Sequence, residues 1–246
     1  MKNNILTLWD IDGNLVNVYK CHTPAYCLAI KQTFGVKLTK QQIEINYGLP
    51  ANDVIINPLV KLGFSRRVIN KSIKQALLIY ANELKVQIKK LSIEKANLPG
   101  VKKLLTLICK QKILTGIVTG NIELAGKNIL TATNLDKFFS PKINSYGDNI
   151  TYRHQIVAKA VNNAKKLKKI NNQTKIFIFG DMPADIESAK KFNYTSIAVI
   201  KNSNNSNSSP NGSEYKKRKK ILIKVEPDYL LDDYTDTKKI LSILNK

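Results

Sequence analysis

The chain opens with Ile5-Leu6-Thr7-Leu8-Trp9, an almost unbroken apolar run that reads as a strand buried on both faces. Three similar runs follow far downstream, at Ile113 to Val118, Lys175 to Phe179 and Ser196 to Ile200. Between the first run and the second the period changes. Val18, Tyr26, Ala29 and Ile30 open a helical stretch that runs to Gly35, and Ile43 to Tyr47 forms a short helical turn. Gly48, Pro50, Pro58 and Gly63 punctuate what comes next. Ser65 then caps a long helix in which Val68, Ile69, Ile73, Leu77, Tyr80, Leu84, Ile88 and Leu91 keep helical spacing. This block contains no convincing strand, so it reads as a helical module inserted after the first strand.

Pro99-Gly100 closes the insert, and strands then alternate with helices. Helices are expected at Val101 to Cys109, Ile122 to about Asn134, about Arg153 to Leu167, Asp185 to Lys191 and Thr235 to Leu244. A short strand is expected around Ile143 and an edge strand at Pro227 to Leu231. Such alternation predicts an α/β fold, a Rossmann-like doubly wound parallel sheet with an inserted all-α domain. The expected division is residues 1–16 and 96–246 for the α/β core and 17–95 for the helical insert. Within the core, residues 201–213 are Ser/Asn-rich with no apolar content and read as a low-complexity flexible loop.

Parallel sheets bind ligands at the carboxyl ends of their strands, and three of these strands end in polar residues. The first runs into Asp10-Ile11-Asp12-Gly13, the second into Thr119-Gly120-Asn121, and the third into Gly180-Asp181. Strand alternation puts Asp10 and Asp12 on one face, where two like charges call for a cation between them. Hard carboxylate oxygens suit magnesium. Asp181 and Asp185 lie four residues apart and face one point if the turn begins helically. Each feature has a plainer reading. Asp12-Gly13 is also a hairpin-turn pair, Thr119-Gly120-Asn121 a possible turn, and Asp181 a possible helix N-cap.

At 246 residues the chain is long enough for a substantial core. No run of about eighteen apolar residues suggests a membrane span, and the N-terminal stretch does not resemble a signal peptide. Cys21, Cys27 and Cys109 form no CxxC pair and read as reduced thiols, which points to the cytoplasm. The net charge of +22 comes mostly from Lys scattered among Asn and Ile, a compositional signature rather than an Arg- and aromatic-rich nucleic-acid patch. Lys216-Lys217-Arg218-Lys219-Lys220 is a local basic cluster that reads as a solvated helix face.

Taken together, these motifs resemble those of the haloacid dehalogenase-like hydrolases over nearly the whole chain. Asp10-Ile11-Asp12-Gly13-Asn14-Leu15 is similar to the first family motif, Thr119 to the second, and Gly180-Asp181-Met182-Pro183-Ala184-Asp185 to the fourth. The insert lies where the phosphoglycolate phosphatase-like subgroup carries a helical cap. Arg153 is the best-placed cation for the third motif, with Lys142 in reserve. The resemblance implies a magnesium-dependent phosphatase acting on a small phosphorylated metabolite, phosphoglycolate-like or a sugar phosphate, through an aspartyl-phosphate. It casts Asp10 as nucleophile, Asp12 as acid/base, and Thr119, Gly120, Asn121 and Arg153 as phosphate ligands. Asp10, Asp12 (through its backbone carbonyl), Asp181 and Asp185 are the implied metal ligands. Two positions depart from the family pattern: Asn14 replaces a usual Thr, and Tyr47-Gly48-Leu49-Pro50 replaces a Gly-x-Thr-Asp cap loop. A phosphomutase on the same core is one alternative. A catalytically idle scaffold binding nucleic acid through its basic surface is another.

Overall fold

We describe a computed structural model of the protein, covering residues 4–91, 96–148, 150, 152–200 and 212–246. Strand β1 (Ile5–Trp9) is followed by helices α1 (Tyr19–Phe34), α2 (Lys40–Glu44), α3 (Ala51–Lys61) and α4 (Arg66–Lys89). The chain then runs through α5 (Val101–Lys110), β2 (Leu114–Ile117), α6 (Glu123–Ala132), a 3-10 turn (Asp136–Phe138) and α7 (Arg153–Lys166). It ends with β3 (Lys175–Gly180), α8 (Pro183–Lys191), β4 (Thr195–Val199), α9 (Ser213–Lys224), β5 (Tyr229–Leu231) and α10 (Thr237–Leu244). The sheet is parallel in the order β2-β1-β3-β4-β5. The chain builds outward from β1 to one side and then to the other, so the direction of winding reverses beside β1, where open α/β sheets bind ligands.

Alternation along the strands explains their unbroken apolar sequence. Ile5 and Trp9 join a core with Phe177, Phe179, Ile197 and Val199, covered by α5, α6 and α10. Leu6 and Leu8 turn the other way, onto Ile176, Ile178 and the apolar face of α7. Trp9 and Phe179 stack with ring centroids 3.7 Å apart, locking the ends of β1 and β3 together just below the site.

Four helices, α1 to α4, occupy residues 19–89. Ser65 caps α4 as expected, accepting from the Val68 amide at 3.3 Å. The two segments joining this helical block to the core pair with each other. Asn17 N–H donates to Ala96 at 2.7 Å, and Leu98 N–H to Leu15 at 2.9 Å.

Three expectations need correction. Pro58 does not interrupt the chain but lies inside α3. Val54, Ile55, Pro58 and Leu59 are buried together on one helical face, and that burial outweighs the single hydrogen bond a proline forfeits. Ile143 is not in a strand. The amides of Ile143 and Asn144 both donate to Ser140 in a turn, and a single bridge, Val118 to Ser145, follows. Strand β1 stops at Trp9, and the Asp10 to Val16 segment folds back on itself, with Leu15 and Val16 amides donating to Ile11. Asp10 and Asp12 therefore reach the same cleft through a turn and not through strand alternation. Most of the expected 201–213 loop lies outside the described residues, and α9 already begins at Ser213.

Gly100, at φ +82°, is where the chain leaves the helical block and enters α5. A β-carbon there would lie 2.2 Å from the Tyr234 backbone. Gly100→Ala is expected to cost about 2 kcal/mol or more from positive-φ strain and this clash. Thermal denaturation checks it, and an unchanged Tm would show that the close approach carries no energetic weight.

Candidate active site

The site forms where β1, β2 and β3 end. Asp10 follows β1 directly, its amide held by Phe179 at 2.9 Å. Asp181 follows β3, and Asp185 lies in the first turn of α8. One carboxylate oxygen from each of Asp10, Asp181 and Asp185 lies within 4.8 Å of the others, and all three residues are buried. Gly13, at φ +76°, is what lets the turn lie against this cluster. A β-carbon there would meet Asp181 Oδ2 at 2.1 Å.

Two guanidinium groups balance the acids. Arg153, at the start of α7, donates to Asp10 Oδ1 at 2.7 Å and to Asp185 Oδ1 at 2.7 and 2.8 Å, and it also reaches the Val118 carbonyl at 3.0 Å. Of the two cations considered for the third motif, Arg153 is in the site and Lys142 is exposed on the surface. Arg218, on α9, donates to Asp181 Oδ2 at 2.5 Å and to the Asp181 carbonyl at 3.1 Å. The basic cluster is therefore a solvated face for Lys216, Lys217, Lys219 and Lys220 only, since its arginine turns inward.

Asp12 has a different environment. His22 Nε2 is 2.9 Å from Asp12 Oδ1, and Asn121 Nδ2 donates to Asp12 Oδ2 at 2.5 Å. His22 Nδ1 is 2.7 Å from the Tyr80 hydroxyl, which donates to Asn121 Oδ1 at 3.3 Å and so closes a ring of four side chains. Two of the four, His22 and Tyr80, come from the helical block. Asp12's carboxylate thus stands apart from the trio that could share a cation, while its backbone carbonyl accepts from the Tyr19 hydroxyl at 3.3 Å.

Thr119 is buried, and its Oγ1 accepts from the Asn121 amide and side chain at 3.3 and 3.2 Å. The Gly120 carbonyl accepts from the Ala51 amide at 3.1 Å, fastening the Tyr47 to Ala51 loop onto the core. A cavity of about 70 Å³ remains between the two parts. Asp10, Asp12, Thr119, Gly120, Asn121, Arg153 and Asp185 line its core side. Tyr19, His22, Tyr26, Tyr47, Leu49, Ala51 and Val54 line the helical side.

The unusual Asn14 is buried in this framework. Its side-chain amide donates to the Asp10 carbonyl at 2.9 Å, and its oxygen accepts from the Tyr234 hydroxyl. An asparagine supplies both a donor and an acceptor here, one for each neighbour.

Burial raises the pKa of Asp10 above the usual carboxylate range, Arg153 opposing and Asp12 adding to the shift. Burial also pushes Asp185 up to about 7, against the pull of Arg153 and with repulsion from Asp10 and Asp181.

Fold and site together define an α/β protein with an acidic, cation-seeking centre at its topological switch point. Residues 7–199 match the family model described as haloacid dehalogenase-like hydrolase, and the chain belongs to that family. No curated protein sequence matches it. Among solved structures it is similar to a phosphonoacetaldehyde hydrolase-like protein from Oleispira antarctica, at 14% identity and TM-score 0.71, covering 98% of this chain and 92% of the other. A predicted phosphoglycolate phosphatase from Haemophilus somnus has 19% identity and TM-score 0.62, with 98% and 99% covered. A haloacid dehalogenase-like family hydrolase from Streptococcus pneumoniae has 17% identity and TM-score 0.60, with 99% of both chains covered. These similarities establish a shared fold.

His22, Tyr80 and Arg218 were not foreseen as site residues. Only composition hinted at two of them: His22 is one of two histidines, and Arg218 is the single arginine in its cluster.

The raised Asp185 pKa sets the sign of a pH effect. Between about pH 4, where an unfolded aspartate ionises, and about pH 7, where folded Asp185 does, the native state holds a proton that the unfolded chain has released. Stability of chelator-treated protein therefore falls as pH rises through that window. Asp185→Asn is expected to flatten this slope, leaving the part that the raised Asp10 contributes, and to unfold at a higher temperature than wild type above it. Parallel melts of the two proteins across the window check the effect, and identical slopes would refute it.

Proposed function

We propose that the protein is a cytoplasmic, magnesium-dependent phosphatase that hydrolyses a small phosphorylated metabolite through an aspartyl-phosphate. The observation that carries this reading is the division of labour between the two acids after β1. Asp10 sits with Asp181, Asp185 and Arg153, while Asp12 is turned away into a ring of hydrogen-bonding groups.

Asp10 attacks the phosphorus of a bound monoester, forming an oxygen–phosphorus bond as the bond to the alcohol oxygen breaks. Asp12 delivers a proton to that departing oxygen. It then takes one from the water that attacks the aspartyl-phosphate, releasing inorganic phosphate and restoring Asp10. Arg153 and Thr119 face the phosphoryl oxygens, where negative charge spreads in the transition state. A haloacid needs no proton on its leaving halide, so an acid held beside the leaving group fits phosphate ester cleavage better.

The donor set fits a hard divalent cation. Three buried carboxylates converge, and in the described structure two guanidinium groups provide the positive charge they require. Asp10, Asp181 and the Asp12 carbonyl, with Asp185 in support, would hold magnesium, which supplies charge neutralisation that lets two anions approach. Residues 17–95 act as the cap over this centre, with the Ala51 to Gly120 hydrogen bond holding it on the core. Cys21, Cys27 and Cys109 are all unpaired thiols, as a reducing compartment would keep them. No helix among the described residues is long and apolar enough to cross a membrane.

Phosphate release from a generic aryl phosphate tests the reading. Wild type with magnesium should turn it over, chelation should abolish turnover, and Asp10→Asn should leave no detectable rate. Asp12→Asn should cost about 10²- to 10⁴-fold on an alkyl phosphate, and less on the aryl ester, whose leaving group needs little protonation. A magnesium-loaded wild type inert on the aryl ester and on a metabolite panel ends the proposal.

A further inference from the structure

We infer that the leaving group of the substrate is an uncharged, hydroxylated alcohol, and that the helical wall of the cavity rejects carboxylated and doubly phosphorylated esters. The inference rests on the phosphatase reading and concerns the half of the cavity that chemistry leaves unspecified.

Among the described residues, no lysine or arginine lines the helical side of the cavity. Arg153 is the one lysine or arginine among the described lining residues, and it is already held by Asp10, Asp185 and the Val118 carbonyl. Across the cavity the wall is made of tyrosine rings, His22 and the apolar Leu49, Ala51 and Val54. Behind that wall the charge is negative. Tyr47 meets Thr23 Oγ1 at 2.6 Å, and Thr23 donates to Glu44 Oε1 at 2.8 Å. Burial, with the nearby Glu44 and Asp12 charges adding, raises the pKa of the Tyr47 hydroxyl, which stays a neutral hydrogen-bonding group.

A carboxylate on the leaving group would enter this wall with no lysine or arginine among the described lining residues to meet it, with His22 already held by Asp12 at 2.9 Å, and with Glu44 nearby. Burying an unpaired anion in such surroundings costs several kcal/mol. A neutral hydroxyl meets tyrosine hydroxyls that can both donate and accept. A phosphomutase passes through a bisphosphate, whose second phosphoryl group would face the same wall, so the argument also disfavours that alternative.

The test uses the full chain with magnesium and a matched pair, 2-hydroxyethyl phosphate and phosphoglycolate, which differ only in hydroxymethyl against carboxylate. Glucose 1-phosphate and glucose 1,6-bisphosphate form a second pair. The neutral member of the first pair should have a kcat/KM at least about 100-fold higher, corresponding to about 3 kcal/mol. Val54→Lys, which puts a cation on the wall, should shrink that ratio at least tenfold. Calorimetric binding of both esters to Asp10→Asn gives the same comparison without turnover. Equal or better handling of phosphoglycolate, in turnover or binding, overturns the inference while leaving the phosphatase reading intact. Failure on the aryl phosphate strikes the phosphatase reading instead, and the binding ratio still decides the charge preference.

Discussion

Everything at the carboxyl edge of this sheet depends on keeping like charges together. Asp10, Asp181 and Asp185 are buried within reach of one another, and such a cluster is unstable unless positive charge is built in beside it. Arg153 provides it for Asp10 and Asp185, and Arg218 for Asp181. The compensation is incomplete, since three carboxylates share two guanidinium groups. The raised Asp185 pKa, driven first by burial, carries a contribution from that remaining repulsion. A site that is electrostatically short of positive charge stores affinity for a cation, which is the property a metal-assisted phosphoryl transfer needs.

The scaffold makes this tolerable by being rigid where the charges are densest. Trp9 stacks on Phe179 just beneath Asp10 and Asp181, and Tyr234 leans on both rings while its hydroxyl reaches Asn14. Asn14 in turn holds the Asp10 carbonyl. A chain of aromatic packing and buried hydrogen bonds thus runs from Tyr234 to Asp10. Releasing any one of these contacts would let the carboxylates move apart, which is the direction their mutual repulsion already favours.

Much of this was legible in the sequence, for local reasons. The strands were readable because burial on both faces leaves an unbroken apolar run, and the acids were readable because they end those runs. Ser65 and α4 announced themselves through a cap and a periodic face. The misreadings also have local causes. Pro58 looks like a breaker, yet four buried residues on one face of α3 outweigh it. Ile143 looks like a strand residue, yet a turn had taken its amide. His22, Tyr80 and Arg218 were hidden for a different reason. His22 meets Tyr80 across 58 positions of sequence, and Arg218 meets Asp181 across 37. Contacts of that kind leave no periodicity to read, and Tyr80 in particular was indistinguishable from an apolar residue on the buried face of α4.

The ring around Asp12 links the two parts of the molecule in a way the family motifs alone do not. Asp12 and Asn121 belong to the core, whereas His22 and Tyr80 belong to the helical block, so the ring exists only while the block rests on the core. The Ala51 to Gly120 hydrogen bond fixes the same docked arrangement from the other side of the cavity. An acid that must give up a proton and later recover one needs a fixed direction and a dry surrounding at the moment of transfer. In the proposed mechanism one docking would serve both, because the helices over the cavity are those that place His22 and Tyr80 beside Asp12. On the proposed mechanism, docking energy from residues remote from the phosphoryl group would be spent on orienting Asp12, which is how binding away from the reacting bond becomes rate.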